Sequence, residues 1–78
     1  MAPDWDPERL RQIGAQVRVA RQRLGLNQDE FADVVGIHRS YIGMIENGRK
    51  DIRIATLYRL SHALKTDISV LLELSPAH

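Results

Sequence analysis

The sequence predicts an all-α fold in which five short helices form one compact domain, and three observations lead to this prediction. Apolar residues recur at steps of three and four in successive stretches, which is the spacing of one face of an α-helix. No stretch alternates apolar and polar residues over the length of a strand. Glycine, the residue that most often ends a helix, follows three of the apolar stretches, at Gly25, Gly36 and Gly48. The connections are short, so successive helices must pack side by side.

The first two helices are marked by a capping residue at one end and by glycine at the other. Asp6 can cap the first helix, with Pro7 at its first position, and Gly25 ends it. The buried face of this helix should carry Leu10, Ile13, Val17, Ala20 and Leu24. Asn27 should open the second helix, because Glu30 stands three residues later, as in a capping box. The apolar face of the second helix should carry Phe31, Val34 and Val35.

Three further apolar patterns complete the chain. A third helix should run from about residue 39 to residue 47 and bury Ile42 and Ile45. The apolar stripe of the fourth helix should carry Ile54, Leu57, Leu60 and Leu64. Asp67 can cap a short fifth helix. The fifth helix should contain Ile68, Leu71 and Leu72.

Length and composition exclude several classes of protein. A chain of 78 residues allows one domain, which we place at residues 7–74, between an acidic N-terminal tail at 1–6 and a C-terminal tail at 75–78. The absence of cysteine excludes disulfides and thiolate metal sites and fits a reducing cytoplasm. No apolar run approaches the ~18 residues of a membrane span, so we expect no membrane partner.

The charges nearly cancel in total but are sorted along the chain. The net charge is only +1, from 11 Lys and Arg against 10 Asp and Glu. Residues 1–8 carry three acids and no base, whereas residues 9–23 carry five arginines and no acid. Bases outnumber acids again in residues 39–53, after an acidic group formed by Asp29, Glu30 and Asp33. A near-neutral sum can therefore hide a basic face, and it is the face that attracts a nucleic acid.

The most informative stretch is residues 28–47. Two helices too short to be stable alone are separated by residues 36–38, with Gly36 where a left-handed backbone is needed. Small Ala32 lies where the two helices must approach, and the apolar positions are Phe31, Val35, Ile37, Ile42 and Ile45. This pattern is typical of a helix-turn-helix, which presents its second helix outward to enter the major groove of DNA. A purely structural helical hairpin is the alternative, and it would not need the pairing of Ala32 with Gly36.

The same stretch resembles a known family. The matching segments are LNQDEFA at 26–32, GIHRSYI at 36–42, IENG at 45–48, IATL at 54–57 and LSHAL at 60–64. They look like the lambda-repressor-like helix-turn-helix family, also called Cro-type or XRE, over about residues 14–72. The resemblance implies a five-helix lambda-repressor-like domain. It also implies a homodimeric transcriptional regulator that binds a palindromic operator in double-stranded DNA, with residues 39–47 in the major groove.

Within the family, the segment at 38–43 and the short chain most resemble the controller proteins of restriction–modification systems, which are small dimeric transcription factors. Two alternatives stay open. One is an antitoxin-type protein whose main partner is a toxin, and the other is a phage-type repressor. For any of these we expect a bacterial or phage protein in the cytoplasm, bound to the nucleoid when it occupies DNA. RNA polymerase is a further partner that a regulator implies.

The resemblance assigns roles to individual positions. The base-reading positions are Arg39, Ser40, Tyr41, Gly43 and Met44. The phosphate-binding positions are Gln28, His38, Asn47, Arg49, Lys50 and Arg53. Arginine at the start of the reading helix suits guanine, because its fork meets O6 and N7 together. For Tyr41 the alternative is packing against the core, and for the charged residues it is an ordinary solvated surface. His38 stands where a serine or threonine cap is common, so the third helix should be capped less well.

Two further sets lie outside the DNA site. The family pairs an arginine with the glutamate of the IENG segment, which here are Arg21 and Glu46, and this pair should join the first helix to the end of the third. A monomer this small cannot hide all of its C-terminal apolar residues. The candidate dimer interface is therefore Ile52, Ile54, Tyr58, Val70, Leu71 and Leu74. The alternative is that half of these residues close the core.

Enzymatic activity is not expected. His38, His62 and His78 have neither metal-ligand spacing nor an acidic companion cluster, and no glycine-rich loop could cradle a phosphate. No third group is placed to orient His38 beside Ser40. We accordingly expect no catalytic residue, no metal, no cofactor and no small-molecule effector.

Overall fold

The computed structural model describes residues 7–72, and all of the regular structure within that range is helical. The helices are α1 (Pro7–Arg23), α2 (Gln28–Val35), α3 (Arg39–Glu46), α4 (Ile54–Leu64) and α5 (Ile68–Leu71). The predicted all-α, five-helix fold is confirmed. The tails at 1–6 and 75–78, the Asp6 cap and Leu74 lie outside the described residues.

The core lies where all five helices meet. Each of them contributes a side chain that is almost completely buried: Val17, Phe31, Ile42, Ile45, Leu60 and Leu71. These residues recur at the three- and four-residue steps that the sequence shows, because only such steps keep one helix face against the same neighbours. Burying a side chain of this size contributes about 1.5–3 kcal/mol relative to leaving it in water. The α2–α3 pair and the α1–α3 pair form the most extensive of the helix contacts.

Local hydrogen bonds fix both ends of α2. The Asn27 side chain accepts from the backbone N–H of Glu30 at 2.7 Å, and the Glu30 carboxylate accepts from the backbone N–H of Asn27 at 2.8 Å. The predicted capping box is therefore present. At the other end Gly36 adopts φ 83°, and its N–H bonds to the carbonyl of Ala32 at 2.8 Å. This left-handed residue turns the chain sharply into α3.

Three apolar residues differ from the sequence expectations. Leu71 was assigned to a dimer interface, but its side chain is only 1% exposed and belongs to the core, because α5 folds back onto α1 and α4. That assignment is wrong. Leu24 follows the end of α1 and is 41% exposed, so it does not extend the buried stripe. Val34 lies on the outer side of α2 and is exposed as well.

A glycine in the middle of α1 allows the backbone of this helix to approach α3 closely. A Cβ atom at Gly14 would lie 2.2 Å from the carbonyl oxygen of Ile45 and 2.8 Å from that of Glu46. The backbone of α1 therefore touches the C-terminal end of α3 directly. Helical periodicity carries no sign of this role, because the contact is between distant parts of the chain.

We predict opposite effects of adding one methyl group at two helical glycines. Gly14→Ala should lower the free energy of unfolding by about 2 kcal/mol, because the methyl group meets rigid backbone atoms. Gly43→Ala is the matched control: nothing lies within 4 Å of its added Cβ, and the better helix propensity of alanine should raise the free energy of unfolding by about 0.5–1 kcal/mol. Urea denaturation measures both changes. Equal stabilities for the two variants would show that α1 and α3 are not packed this closely.

Candidate nucleic-acid interface

The helix α3 has one buried face and one exposed face. Ile42 and Ile45 are fully buried, which fixes the rotation of the helix about its axis. Arg39 and Ser40 are exposed at its first turn, and Met44 is 39% exposed one turn later. The space around Gly43 is open to a methyl group. The structure thus brings these four predicted base-reading positions to the outside of α3.

Tyr41 is half-buried and packs against the core, which is the alternative that the sequence left open for it. Its ring also receives the Lys50 ammonium group, whose nitrogen lies 6.0 Å from the ring centroid. A cation at this distance is attracted by the ring face. Tyr41 therefore links α3 to the loop that follows it. Arg49, Lys50 and Arg53 are all exposed on that loop.

Two of the predicted phosphate-binding residues, His38 and Asn47, are the capping residues at the two ends of α3. Asn47 ends the helix: its side-chain amide donates to the carbonyl of Gly43 at 2.9 Å, and its oxygen accepts from Arg18 at 3.2 Å. His38 is the N-cap residue, and its side chain makes no capping hydrogen bond, as expected where serine or threonine is replaced. Both residues are exposed.

A buried carboxylate lies at the C-terminal end of α3. Glu46 accepts two hydrogen bonds from Arg21 of α1, from Nε at 2.6 Å and from Nη2 at 3.0 Å. Gln28, at the first position of α2, donates to the same carboxylate at 3.1 Å, and the Nε atom of Arg18 lies 3.5 Å from it. Arg21 also donates to the carbonyl of Leu26 at 2.8 Å. The structure therefore brings Arg21 and Glu46 together and adds Gln28 and Arg18 to them.

These contacts change the proton affinity of both partners. Burial by itself raises the pKa of Glu46, but the hydrogen bonds from Arg21 and Gln28 and the nearby guanidinium charges outweigh burial and lower that pKa below its ordinary value. The hydrogen bond to Glu46 raises the pKa of Arg21. Both groups are therefore charged over the whole physiological range.

Arg39 has a partner that the sequence did not suggest. Its Nε atom lies 3.1 Å from a carboxylate oxygen of Asp29, at the start of α2, and the side chains are 62% and 74% exposed. One member of the acidic group of α2 therefore contacts the first of the predicted base-reading positions. Ten residues separate the two, so neither helical spacing nor a charge count marks the pair.

Arg59 is a second residue that sequence reasoning missed. Its Nη2 atom donates to the carbonyl of Val35 at 2.8 Å and to that of Gly36 at 3.2 Å. These carbonyls are left without helical partners at the end of α2, so Arg59 caps that end and ties α4 to the helix-turn-helix. The only signal in the sequence is a base beside the apolar stripe of α4, which many surface helices show.

The apolar residues considered for a dimer interface divide into three groups. Ile54 and Tyr58 are 62% and 54% exposed on α4, and Val70 is exposed on α5. Leu72 lies two residues after Val70 and is exposed as well, although it was not assigned to the interface. Ile52 is half-buried against the core, and Leu71 is part of the core. Among the candidate interface residues that the structure describes, the exposed ones lie on one turn of α4 and in α5.

Residues 7–72 contain no group of three or more His, Cys, Asp or Glu side chains that could hold a metal ion. None of the helices among these residues is long and apolar enough to cross a membrane.

Comparison with known proteins defines the class. A helix-turn-helix family model (HTH_3) matches residues 17–71, and the chain therefore belongs to this helix-turn-helix family, whose members are DNA-binding transcriptional regulators. Control protein C.SmaI of Serratia marcescens is 35% identical over 60 residues, which cover 77% of this chain and 71% of that protein.

Solved structures show the same fold. The restriction–modification controller protein C.AhdI from Aeromonas hydrophila superimposes with a TM-score of 0.77 at 31% identity, covering 80% of this chain and 94% of that one. SinR, a master regulator for biofilm formation that was solved in complex with DNA, gives a TM-score of 0.74 at 29% identity, covering 78% and 98%. The fold is the lambda-repressor-like one that the sequence resemblance implied.

We predict that the Glu46 network makes stability depend on pH. Because folding lowers the pKa of Glu46, its contribution is fully present above the ordinary value of 4.5 and is lost as the pH falls through the folded-state pKa. Glu46→Gln should lower the free energy of unfolding near neutral pH by about 3 kcal/mol, because the buried charge of Arg21 is left unpaired. The deficit relative to the wild type should shrink in acid.

Urea denaturation near neutral pH and at about pH 3 measures this deficit. Asp33→Asn is the control, because Asp33 is an exposed carboxylate on α2 and its replacement should change the free energy of unfolding by less than about 0.5 kcal/mol. A deficit for Glu46→Gln of the same size at both pH values would contradict the assigned role of the carboxylate.

Proposed function

We propose that the protein is a sequence-specific, homodimeric transcriptional regulator that inserts α3 into the major groove of double-stranded DNA. The observation that carries this proposal is the orientation of α3: its apolar face is buried against α1 and α2, and Arg39, Ser40 and Met44 remain exposed on the other face. Membership of the helix-turn-helix family and the likeness to SinR, a structure solved with DNA, support it.

The proposed contacts follow from position on the helices. Residues at the N-terminal end of a recognition helix contact base edges, and Arg39 is the first residue of α3. Its fork can meet O6 and N7 of a guanine, a contact that contributes about 1–3 kcal/mol of discrimination. Ser40, Gly43 and Met44 face the neighbouring bases, and Tyr41 supports the helix from its inner side. We infer that Gly43, which lacks a side chain, permits close approach rather than a base contact.

Phosphate contacts should flank the recognition helix. Gln28 lies at the N-terminus of α2, where unpaired backbone N–H groups favour an anion. The loop after α3 supplies the exposed cations Arg49, Lys50 and Arg53. His38 and Asn47, at the two ends of α3, complete the proposed set. Such contacts position the protein on the duplex and do not read the sequence.

A homodimer follows from the small reading surface. One eight-residue helix spans few base pairs, and regulators of this type read two half-sites about one turn of DNA (~34 Å) apart. The exposed residues Ile54, Tyr58 and Val70 are the proposed interface, with Ile52 at its edge. Leu74, which lies outside the described residues, remains part of the proposed interface.

The likeness to C.SmaI and C.AhdI supports a restriction–modification controller, with an antitoxin and a phage-type repressor as the alternatives. We propose that its occupancy of DNA responds to protein concentration, because dimerisation and DNA binding both depend on it. The proposal includes RNA polymerase as a partner at the promoter and requires no small-molecule effector. A methyltransferase gene beside this gene would support the controller role, and a toxin gene in that place would overturn it.

Selection of bound sequences from random double-stranded DNA tests the proposal as a whole. The expected result is a two-fold symmetric site with a guanine at equivalent positions of both halves. Enrichment of a single unsymmetric site would contradict the homodimer, and no enrichment at all would contradict sequence-specific binding.

We predict that Arg39→Ala and Lys50→Ala impair DNA binding in different ways: the first should reduce specificity, and the second should reduce overall affinity. Arg39→Ala should reduce the ratio of affinities for the selected site and random DNA by about tenfold, which corresponds to ~1.4 kcal/mol. Lys50→Ala should weaken binding to both DNAs alike and reduce the slope of log affinity against log salt concentration by about 0.9. Fluorescence anisotropy over a salt series measures both quantities. An unchanged affinity ratio for Arg39→Ala would remove Arg39 from the reading surface.

We predict that charges on the exposed face of α4 abolish the dimer. The double variant Ile54→Lys, Tyr58→Lys should be a folded monomer at micromolar concentration, because both side chains are mostly exposed in a single chain and would be buried in the dimer. Val19→Lys is the control, since Val19 is also exposed but lies on α1. Sedimentation equilibrium measures the mass. A monomeric wild type, or a dimeric double variant, would contradict this interface.

A further inference from the structure

The contact between Arg39 and Asp29 places an acid inside the proposed DNA interface. Asp29 lies at the second position of α2, and its carboxylate oxygen is 3.1 Å from Nε of Arg39. The contact uses the inner side of the guanidinium group. Within the described residues, no other ion pair involves Arg39, so its two terminal nitrogens are available at the outer end.

We propose that Asp29 is a positioning residue that holds Arg39 end-on toward a guanine and thereby sets the specificity of the reading helix. The proposal rests on the proposed function, in which Arg39 reads a base. With Nε beside the Asp29 carboxylate at 3.1 Å, the two terminal nitrogens lie at the outer end, where they can form the fork that matches O6 and N7 of guanine. A carboxylate that remains in place also opposes any rotation of Arg39 toward a phosphate.

The exposure of the pair indicates that it serves binding rather than folding. Both side chains are more than half exposed, and ion pairs of this kind contribute only about 0–1 kcal/mol to stability. At a protein–DNA interface water is displaced, and the same two charges interact more strongly. The carboxylate also lies on the side of the molecule that approaches the phosphates, where it lowers the affinity for every sequence. A charge that weakens general binding while orienting a base-reading arginine raises the ratio of specific to random binding.

A plainer explanation is that Asp29 only stabilises α2, because an acid in the first turn of a helix interacts favourably with the helix dipole. Asp33 separates the two explanations. It lies four residues further along the same helix, is exposed, and forms no ion pair among the described residues. Asp33→Asn therefore makes the same change of charge on α2 without touching Arg39.

The test uses three duplexes: the site obtained by selection, the same site with the guanine–cytosine pair opposite Arg39 replaced by adenine–thymine, and a random sequence. Dissociation constants are measured by fluorescence anisotropy at one salt concentration. Asp29→Asn should bind random DNA more tightly than the wild type and lower the preference for guanine by about threefold to tenfold. Asp33→Asn should tighten binding to all three duplexes by a common factor. Asp29→Glu, which keeps the charge, should recover most of the preference.

A double-mutant cycle connects the effect to Arg39. In the Arg39→Ala background, Asp29→Asn should leave the preference for guanine unchanged, because the group that it positions is absent. Equal behaviour of Asp29→Asn and Asp33→Asn, or an effect of Asp29→Asn that persists without Arg39, would overturn the positioning role. Urea denaturation curves with the same midpoint as that of the wild type show that the variants are folded.

The same experiment distinguishes this inference from the proposed function. If the wild type itself fails to distinguish the selected site from random DNA, the proposed function is wrong and the positioning role fails with it. If the wild type distinguishes them and Asp29→Asn does so equally well, only the positioning role is wrong.

Discussion

The carboxylate of Glu46 is buried at the point where α1, α2 and α3 meet, and the orientation of α3 depends on it. A negative charge at the C-terminal end of a helix opposes the helix dipole, and burial makes it more costly still. Arg21 offsets this cost by donating two hydrogen bonds to the carboxylate. Gln28 donates a third, and the charge of Arg18 lies nearby. Arg18 and Arg21 belong to α1 and Gln28 belongs to α2, so the charge of Glu46 stays neutralised only while both helices keep their positions. The network thus couples the end of α3 to the two helices behind it.

A buried ion pair is weak evidence for net stability, since apolar residues of the same size often do as well. Its contribution here is geometric. Packing at Gly14 sets how closely α1 approaches α3, because the approach leaves no room for a side chain. The two hydrogen bonds between Arg21 and Glu46 act together with the burial of Ile42 and Ile45 to fix the rotation of α3 at that distance. Arg59 fixes the turn before α3 by donating to the backbone carbonyls of Val35 and Gly36. Together these contacts decide which residues of α3 face outward.

Local signals in the sequence were enough to predict the helices, whereas a long-range contact, the Arg21–Glu46 pair, was predicted only through the family resemblance. The apolar periodicity, the Asn27 box and the glycine at the end of α2 act over four residues or fewer, so they can be seen in the chain itself. The Asp29–Arg39 pair and the Gly14 contact join residues that only the packed helices bring together. Leu71 shows a related limit, because it was predicted at the dimer interface and is buried in the core. A short terminal helix carries too little periodicity to tell which of its apolar residues points inward.

The distribution of charge now explains how a chain with a net charge of +1 can serve as a DNA-binding protein. Arg21 and Arg59 are used to hold helices together, and Glu46 is neutralised inside the protein. Under the proposed function, few cations per chain remain for phosphates, in the loop after α3, so the general affinity of one chain should be low at physiological salt. Specific occupancy must then come from base reading by Arg39 and from the second copy. Low general affinity is an advantage for such a protein, because random genomic DNA competes less for it.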